Sequence, residues 1–122
     1  MHHFNKDIGN YGESLAQEYL KKMGYIILDK NFRCKLGELD LIGKDDTFIA
    51  FIEVKTRYSN LYGYPCEAVT KSKQFRIYKI AQLYILKKKL FKCNFRFDVV
   101  EIILNKNDEK PSIRLIKNAF QL

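Results

Sequence analysis

The sequence predicts an α/β protein: a mixed central β-sheet flanked by helices, in the order α-β-β-β-α-β-β. Three observations predict it. Apolar residues recur at helical spacing in two stretches, three short β-like runs lie between them, and β-branched and aromatic runs follow the second stretch. Helices interleaved with strands in this way call for a sheet covered on its faces.

The first helix is read from Ile8, Tyr11, Leu15, Ala16, Tyr19, Leu20 and Met23, spanning about Gly9 to Met23 with Gly24 as its stop. The runs Tyr25–Arg33, Leu36–Gly43 and Phe48–Tyr58 read as strands. Lys35 and Leu36 before Gly37 mark one junction, and Gly43–Asp46 reads as a hairpin turn. Ser59–Pro65, with Gly, Tyr and Pro, is the longest loop candidate. Glu67 to about Leu90 is helical in pattern, with Val69, Ile77, Ile80, Ala81 and Tyr84 on one broad face. Phe95–Leu104 predicts a strand, Asn105–Lys110 a polar turn, and Ile113–Phe120 a final edge strand.

A chain of 122 residues has room for one domain, 1–122, and its 47% hydrophobic and 30% charged residues are those of a soluble folded protein. The formal charge of +8 favours a polyanionic partner such as nucleic acid, although a solvated basic surface gives the same count. Cys34, Cys66 and Cys93 cannot all pair within one chain, and none lies in a CxxC spacing. With His2 and His3 as the only histidines, a structural zinc site is not expected. Inert free thiols, no signal segment and no membrane-length apolar run together predict a cytoplasmic protein.

The chemistry is concentrated in two neighbouring strands. In Gly37-Glu38-Leu39-Asp40-Leu41-Ile42, alternation predicts Glu38 and Asp40 on one face, with Leu39 and Leu41 on the other. In Phe51-Ile52-Glu53-Val54-Lys55-Thr56-Arg57, it groups Glu53, Lys55 and Arg57, with Ile52 and Val54 opposite. A hairpin between the strands would bring Asp40 near Glu53. Carboxylates in apolar sequence are costly unless compensated. A divalent cation held by hard oxygen ligands, Mg²⁺ or Mn²⁺, compensates them, polarises a phosphoryl oxygen and acidifies a bound water. Lys55 could then orient that water and stabilise developing negative charge. A structural salt bridge between the carboxylates and Lys55 accounts for the same strands.

Asp40 followed, after twelve intervening residues, by Glu53-Val54-Lys55 resembles the bipartite signature of the PD-(D/E)xK nuclease superfamily, which includes restriction endonucleases and archaeal Holliday junction resolvases. Longer strings carry a closer likeness: Gly12-Glu13-xx-Ala16, Gly37 to Ile42, Phe51 to Arg57, and Phe97-Asp98-Val99-Val100. These resemble the YraN family of small bacterial endonuclease-like proteins, from about Asn10 to Asn118. The resemblance implies a restriction-endonuclease-like core and a metal-dependent endonuclease. It gives Asp40 and Glu53 the metal-binding role, with the Val54 carbonyl as a further ligand and Lys55 as the catalytic lysine. Glu13 matches the first-helix glutamate that assists metal binding in resolvase-like members; a favourable interaction with the helix dipole is its other reading. Leu39 stands where the motif's name has proline. Glu38 reads either as a supporting acid or as a solvated residue at the strand entrance, and Asp98 as a structural partner for a nearby Arg or Lys.

Lys71, Lys73 and Arg76 lie in the first half of the second helix, where the helix dipole disfavours cations; with Arg57 they are the candidate phosphate contacts. Gln74-xxx-Tyr78 resembles the QxxxY element of some nucleases in the superfamily, and Tyr78 reads equally well as core. Tyr58, Tyr62 and Tyr64 could stack on unpaired bases or cover the sheet edge. The expected function is structure-selective hydrolysis of phosphodiester bonds in DNA. A non-catalytic nucleic-acid-binding module that keeps the nuclease fold, or an assembly factor with an incidental basic surface, are the competing readings. A homodimer is the expected oligomer, because many relatives in the superfamily dimerise.

Overall fold

The computed structural model describes residues 2–58, 69–104 and 110–121, with the helical backbone alone for 2–8. The elements are α1 (His2–Lys22), β1 (Ile26–Cys34), β2 (Gly37–Asp45), β3 (Phe48–Tyr58), α2 (Lys71–Lys88), β4 (Asn94–Leu104) and β5 (Ser112–Ile116). The five strands form one sheet in the order β1-β2-β3-β4-β5. Neighbours are antiparallel except β3 and β4, which run parallel because the chain crosses back through α2.

The β1–β2 and β2–β3 hairpins have two-residue turns. β1 passes to β2 through Lys35 and Leu36, with Gly37 at φ +139° where a side chain would be strained. β2 passes to β3 through Asp46 and Thr47, and Asp46 takes the left-handed conformation that Asp tolerates. At the end of α1, Gly24 also has positive φ, the Tyr25 N–H reaches the Leu20 carbonyl at 2.9 Å, and Gly24 N–H reaches Lys21 at 3.1 Å. These bonds satisfy carbonyls that the helix end leaves open.

The sheet is covered on both faces, which is why the first half of β3, Phe48 to Ile52, reads as an unbroken apolar run. On one face Ala16 and Leu20 of α1 pack with Leu41, Ala50, Ile52, Val100, Ile102 and Leu104. On the other, Ile77, Ile80, Ala81 and Tyr84 of α2 pack with Leu39, Ile42, Ile49, Phe51 and Val99. Cys34 and Cys93 are free thiols packed against this second cluster; Cys66 lies outside the described residues.

Boundaries differ from expectation chiefly at four places. β2 runs on through Gly43 to Asp45, because these residues stay paired with β3, so the turn is Asp46–Thr47 and not Gly43–Asp46. α1 begins at His2 rather than Gly9. α2 begins at Lys71, because the extended Thr70 caps it by accepting from the Lys73 N–H at 3.2 Å; residues 67–68 and the Ser59–Pro65 loop fall outside the described residues. β5 ends at Ile116, where the Asn118 N–H turns aside to Asp98 Oδ1 at 2.9 Å. Among the described residues, no helix is long and apolar enough to cross a membrane.

Asp98 is fully buried. It accepts from the Tyr25 hydroxyl at 2.8 Å and from the Arg96 guanidinium at 2.9 Å through both Nε and Nη2. Arg96 also reaches Asp45 at 2.8 Å, and Lys117 meets the same Asp45 oxygen at 2.9 Å. A buried charge with every acceptor occupied is a structural element, the role expected for Asp98. The network ties the ends of α1, β2, β4 and β5 together near the β2–β3 turn.

Candidate active site

The site is made where β2 parts from β3. Their backbone pairing runs from Asp45↔Phe48 to Leu41↔Ile52 and goes no further. Beyond it the Val54 N–H donates to the Asp40 carboxylate, Oδ2, at 2.8 Å. Asp40 thus takes the place of a neighbouring backbone carbonyl.

The alternation expected along β2 fails at this point. Leu39 belongs to the α2-side cluster and Leu41 to the α1-side cluster, so the two leucines do not share a face opposite Glu38 and Asp40. The adjacent edge strand is irregular at the same place. Asn31 falls between the pairs Lys30↔Leu41 and Phe32↔Leu39, opposite Asp40, and its φ is +53°. A left-handed residue departs from strand conformation, and it stands directly across from the point where β2 loses its alternation.

β3 keeps its alternation. Glu53, Lys55 and Arg57 continue the side of Phe51, facing α2, while Val54 packs on the α1-side cluster. The carboxyls of Asp40 and Glu53 are close enough to interact directly. Burial raises the Asp40 pKa most, the adjacent Glu53 carboxyl adds to it, and the Val54 N–H and Lys73 oppose it. Lys73, at the start of α2, sits 3.4 Å from Glu53 Oε2; the Glu53 side chain is 12% exposed and that of Lys73 41%. The Thr70 cap that fixes the first turn of α2 therefore also sets where Lys73 stands.

Glu13 approaches from α1. Gly12, the residue before it, is buried against β3, and any Cβ there would collide with the Thr56 side chain. Glycine lets the helix dock at this depth and carries Glu13 to the open end of the hairpin. The Glu13 pKa is raised, chiefly by burial and then by the charges of Asp40 and Glu38, with Arg33 opposing. Glu38, at the strand entrance, pairs with Arg33 at 3.5 Å.

Of the candidate phosphate contacts, Lys71 and Arg76 are exposed and Arg57 is half-buried at the end of β3. Lys73 instead makes its pairing with Glu53 inside the carboxylate group, a position that helical spacing alone did not distinguish from its neighbours. Gln74 donates to the Val69 carbonyl at 2.8 Å and closes the entry to α2. Tyr78 lies beside Phe97, ring centres 6.3 Å apart. Tyr62 and Tyr64 lie outside the described residues.

The donor chemistry fits a hard divalent cation. Asp40 and Glu53 are oxygen donors held together at an electrostatic cost, and Lys73 beside Glu53 supplies part of the positive charge that a metal would bring. Among the described residues no three acidic, histidine or cysteine side chains are close enough together to form a ready-made cage. The acids are a pair, Asp40 and Glu53, with Glu13 beside it.

A five-stranded mixed sheet flanked by two helices, with acids gathered where the central hairpin opens, is an α/β fold consistent with a nuclease-like core. The particular family is plain from comparison: the model of Uncharacterised protein family UPF0102 matches residues 12–102. The chain belongs to that family, which is the YraN family its motifs resemble. It is 61% identical over 122 residues to a UPF0102 protein of Clostridium kluyveri and 63% identical over 123 residues to one of Clostridium botulinum, Kyoto strain. A Clostridium tetani UPF0102 protein is 62% identical over 122 residues. In each case the similarity covers 100% of both chains.

Proposed function

We propose that this protein is a divalent-metal-dependent nuclease that hydrolyses phosphodiester bonds in DNA and selects its substrate by structure. The observation that carries the reading is the forced proximity of Asp40 and Glu53, two largely buried carboxyls brought together at the opened end of β2 and β3. Folding gains nothing from placing two desolvated acids together, and the arrangement suits a site kept for a cation.

Asp40 and Glu53 would hold Mg²⁺ or Mn²⁺, with the Val54 carbonyl and Glu13 as further oxygen donors. The metal supplies Lewis-acid polarisation of a phosphoryl oxygen and an acidified water. The chain's own groups do the rest. The Val54 N–H fixes one Asp40 oxygen and leaves the other to the site. Lys55, two residues beyond Glu53 on the same side of β3, orients the attacking water and offsets charge developing on the phosphoryl group. Lys73, released from Glu53, supplies a cation for the phosphate, and Arg57, Lys71 and Arg76 hold the flanking backbone. α2 carries basic residues without a single acid. That pattern favours contact with phosphates over base readout, and so selection by nucleic-acid shape.

A cleavage assay on branched, single-stranded and duplex DNA with Mn²⁺ tests the proposal. Asp40→Ala, Glu53→Ala and Lys55→Ala are each expected to abolish cleavage while circular dichroism shows the fold intact. Unchanged cleavage in all three folded variants overturns it. Salt-sensitive binding without cleavage by the wild type would favour the binding-module reading instead.

A further inference from the structure

Asn31 has no part in the motifs of the carboxylate strands, yet it stands opposite Asp40 on the edge strand β1 with a left-handed backbone at φ +53°. That conformation is unfavourable for most side chains, and Asn is among the few that tolerate it. With its amide nitrogen turned toward the acids, Asn31 donates to Glu38 Oε1 at 2.8 Å and to Glu13 Oε1 at 3.0 Å. The opposite orientation sets the amide oxygen against carboxylate oxygens, so the hydrogen-bond network itself selects this one. One neutral group therefore bridges two like-charged residues on different elements, α1 and β2.

The chemistry of the bridge is informative. Lys or Arg at this position would also hold the two carboxylates, but would add a positive charge beside the cation site. An amide supplies two donors and no charge. It holds Glu13 next to Asp40 while leaving the negative field intact.

We propose that Asn31 is a positioning residue: it ties Glu13 to Glu38 and so presents the Glu13 carboxylate to the metal held by Asp40 and Glu53. The inference rests on the metal-site reading above. It predicts that Asn31 acts through Glu13, which a general structural role would not require.

The test is a double-mutant cycle on Mn²⁺ affinity, read by the loss of the free Mn²⁺ signal in electron paramagnetic resonance. Asn31→Gly removes the amide and keeps the left-handed backbone comfortable. It should weaken Mn²⁺ binding by about tenfold, the usual order for groups that orient a metal ligand. In a Glu13→Gln background the same substitution should change affinity by less than about twofold, because its route of action is gone. Equal factors in both backgrounds, or wild-type affinity in Asn31→Gly, overturn the inference and leave the metal site standing. Absence of Mn²⁺ binding by the wild type overturns both together. A metal-free readout covers a variant that fails to fold: Glu13→Gln should shift the Asn31 side-chain amide resonances in a ¹⁵N spectrum. Unmoved resonances contradict the link.

Discussion

The Val54 N–H donates to Asp40 Oδ2 at 2.8 Å, at the point where β3 has just lost its backbone partner on β2. The sheet is thus completed there by an acid that is buried and repelled by Glu53. Replacing Asp40 by Asn keeps an oxygen to accept from Val54 and adds an NH₂ that can donate to Glu53. Asp40→Asn should therefore stabilise the metal-free protein at neutral pH by about 1 kcal/mol, roughly 4 °C in Tm. Thermal melts followed by circular dichroism check this. A variant melting below the wild type would show that the pair is not under strain.

The same acids set a pH dependence. Asp40 and Glu13 titrate higher in the folded chain than in the unfolded one, so the folded state binds more protons. Stability must then fall as pH rises from the ordinary carboxylate range through the raised values. Asp45 works in the opposite sense: the Lys117 bond, then that from Arg96, lowers its pKa, so its contribution is lost as pH falls through that lowered value. Melting curves across pH, without metal, should show an optimum on the acid side of neutrality. Saturating Mn²⁺ should flatten the alkaline decline by replacing the proton. A metal-free Tm that rises steadily from pH ~5 to ~8 contradicts the assignment.

Much of this was legible in the sequence, for identifiable reasons. The start of β3 is legible because Phe48 to Ile52, covered on both faces of the sheet, make an uninterrupted apolar run straight after the turn residues. Gly24 marked the end of α1 because its positive φ suits few other residues. The neighbouring β2 was harder to read. Leu39 and Leu41 face opposite sides at the point across from a left-handed residue, Asn31, on a different strand, and a period-two pattern carries no trace of that irregularity. The Lys73–Glu53 pair was hidden for a related reason: helical spacing gives Lys71, Lys73 and Arg76 the same exposed character, and only docking of α2 on the sheet separates them. The Asp98 network joins residues up to 73 positions apart, so its partners could not be chosen from the local sequence.

Gly12 and Thr56 give a stability test of how α1 docks. At an exposed helical position, Gly→Ala usually stabilises by about 1 kcal/mol. Here the added methyl meets Thr56, so Gly12→Ala should cost about 1–3 kcal/mol instead. Thr56→Ala in the same chain should recover part of the loss. Denaturant titrations of the two variants measure both effects, and a stabilised Gly12→Ala would refute the close approach.

The far end of the sheet should respond independently. Arg96→Met leaves Asp98 buried with an uncompensated charge, and is expected to cost about 3–5 kcal/mol. Mn²⁺ affinity, measured at a temperature where the variant is still folded, should be unchanged, because the network lies near the β2–β3 turn and the acids at the opened end. Loss of affinity in the folded variant would mean that the two ends are coupled.

The central claim is that Asp40 and Glu53 form a cation site, and a direct Mn²⁺ titration of wild type and Glu53→Gln measures it. Wild-type protein should bind Mn²⁺ saturably, and Glu53→Gln, whose charge is gone but whose shape is kept, should lose that binding with its circular dichroism spectrum unchanged. Equal binding by the two proteins, or none by the wild type, would contradict the account.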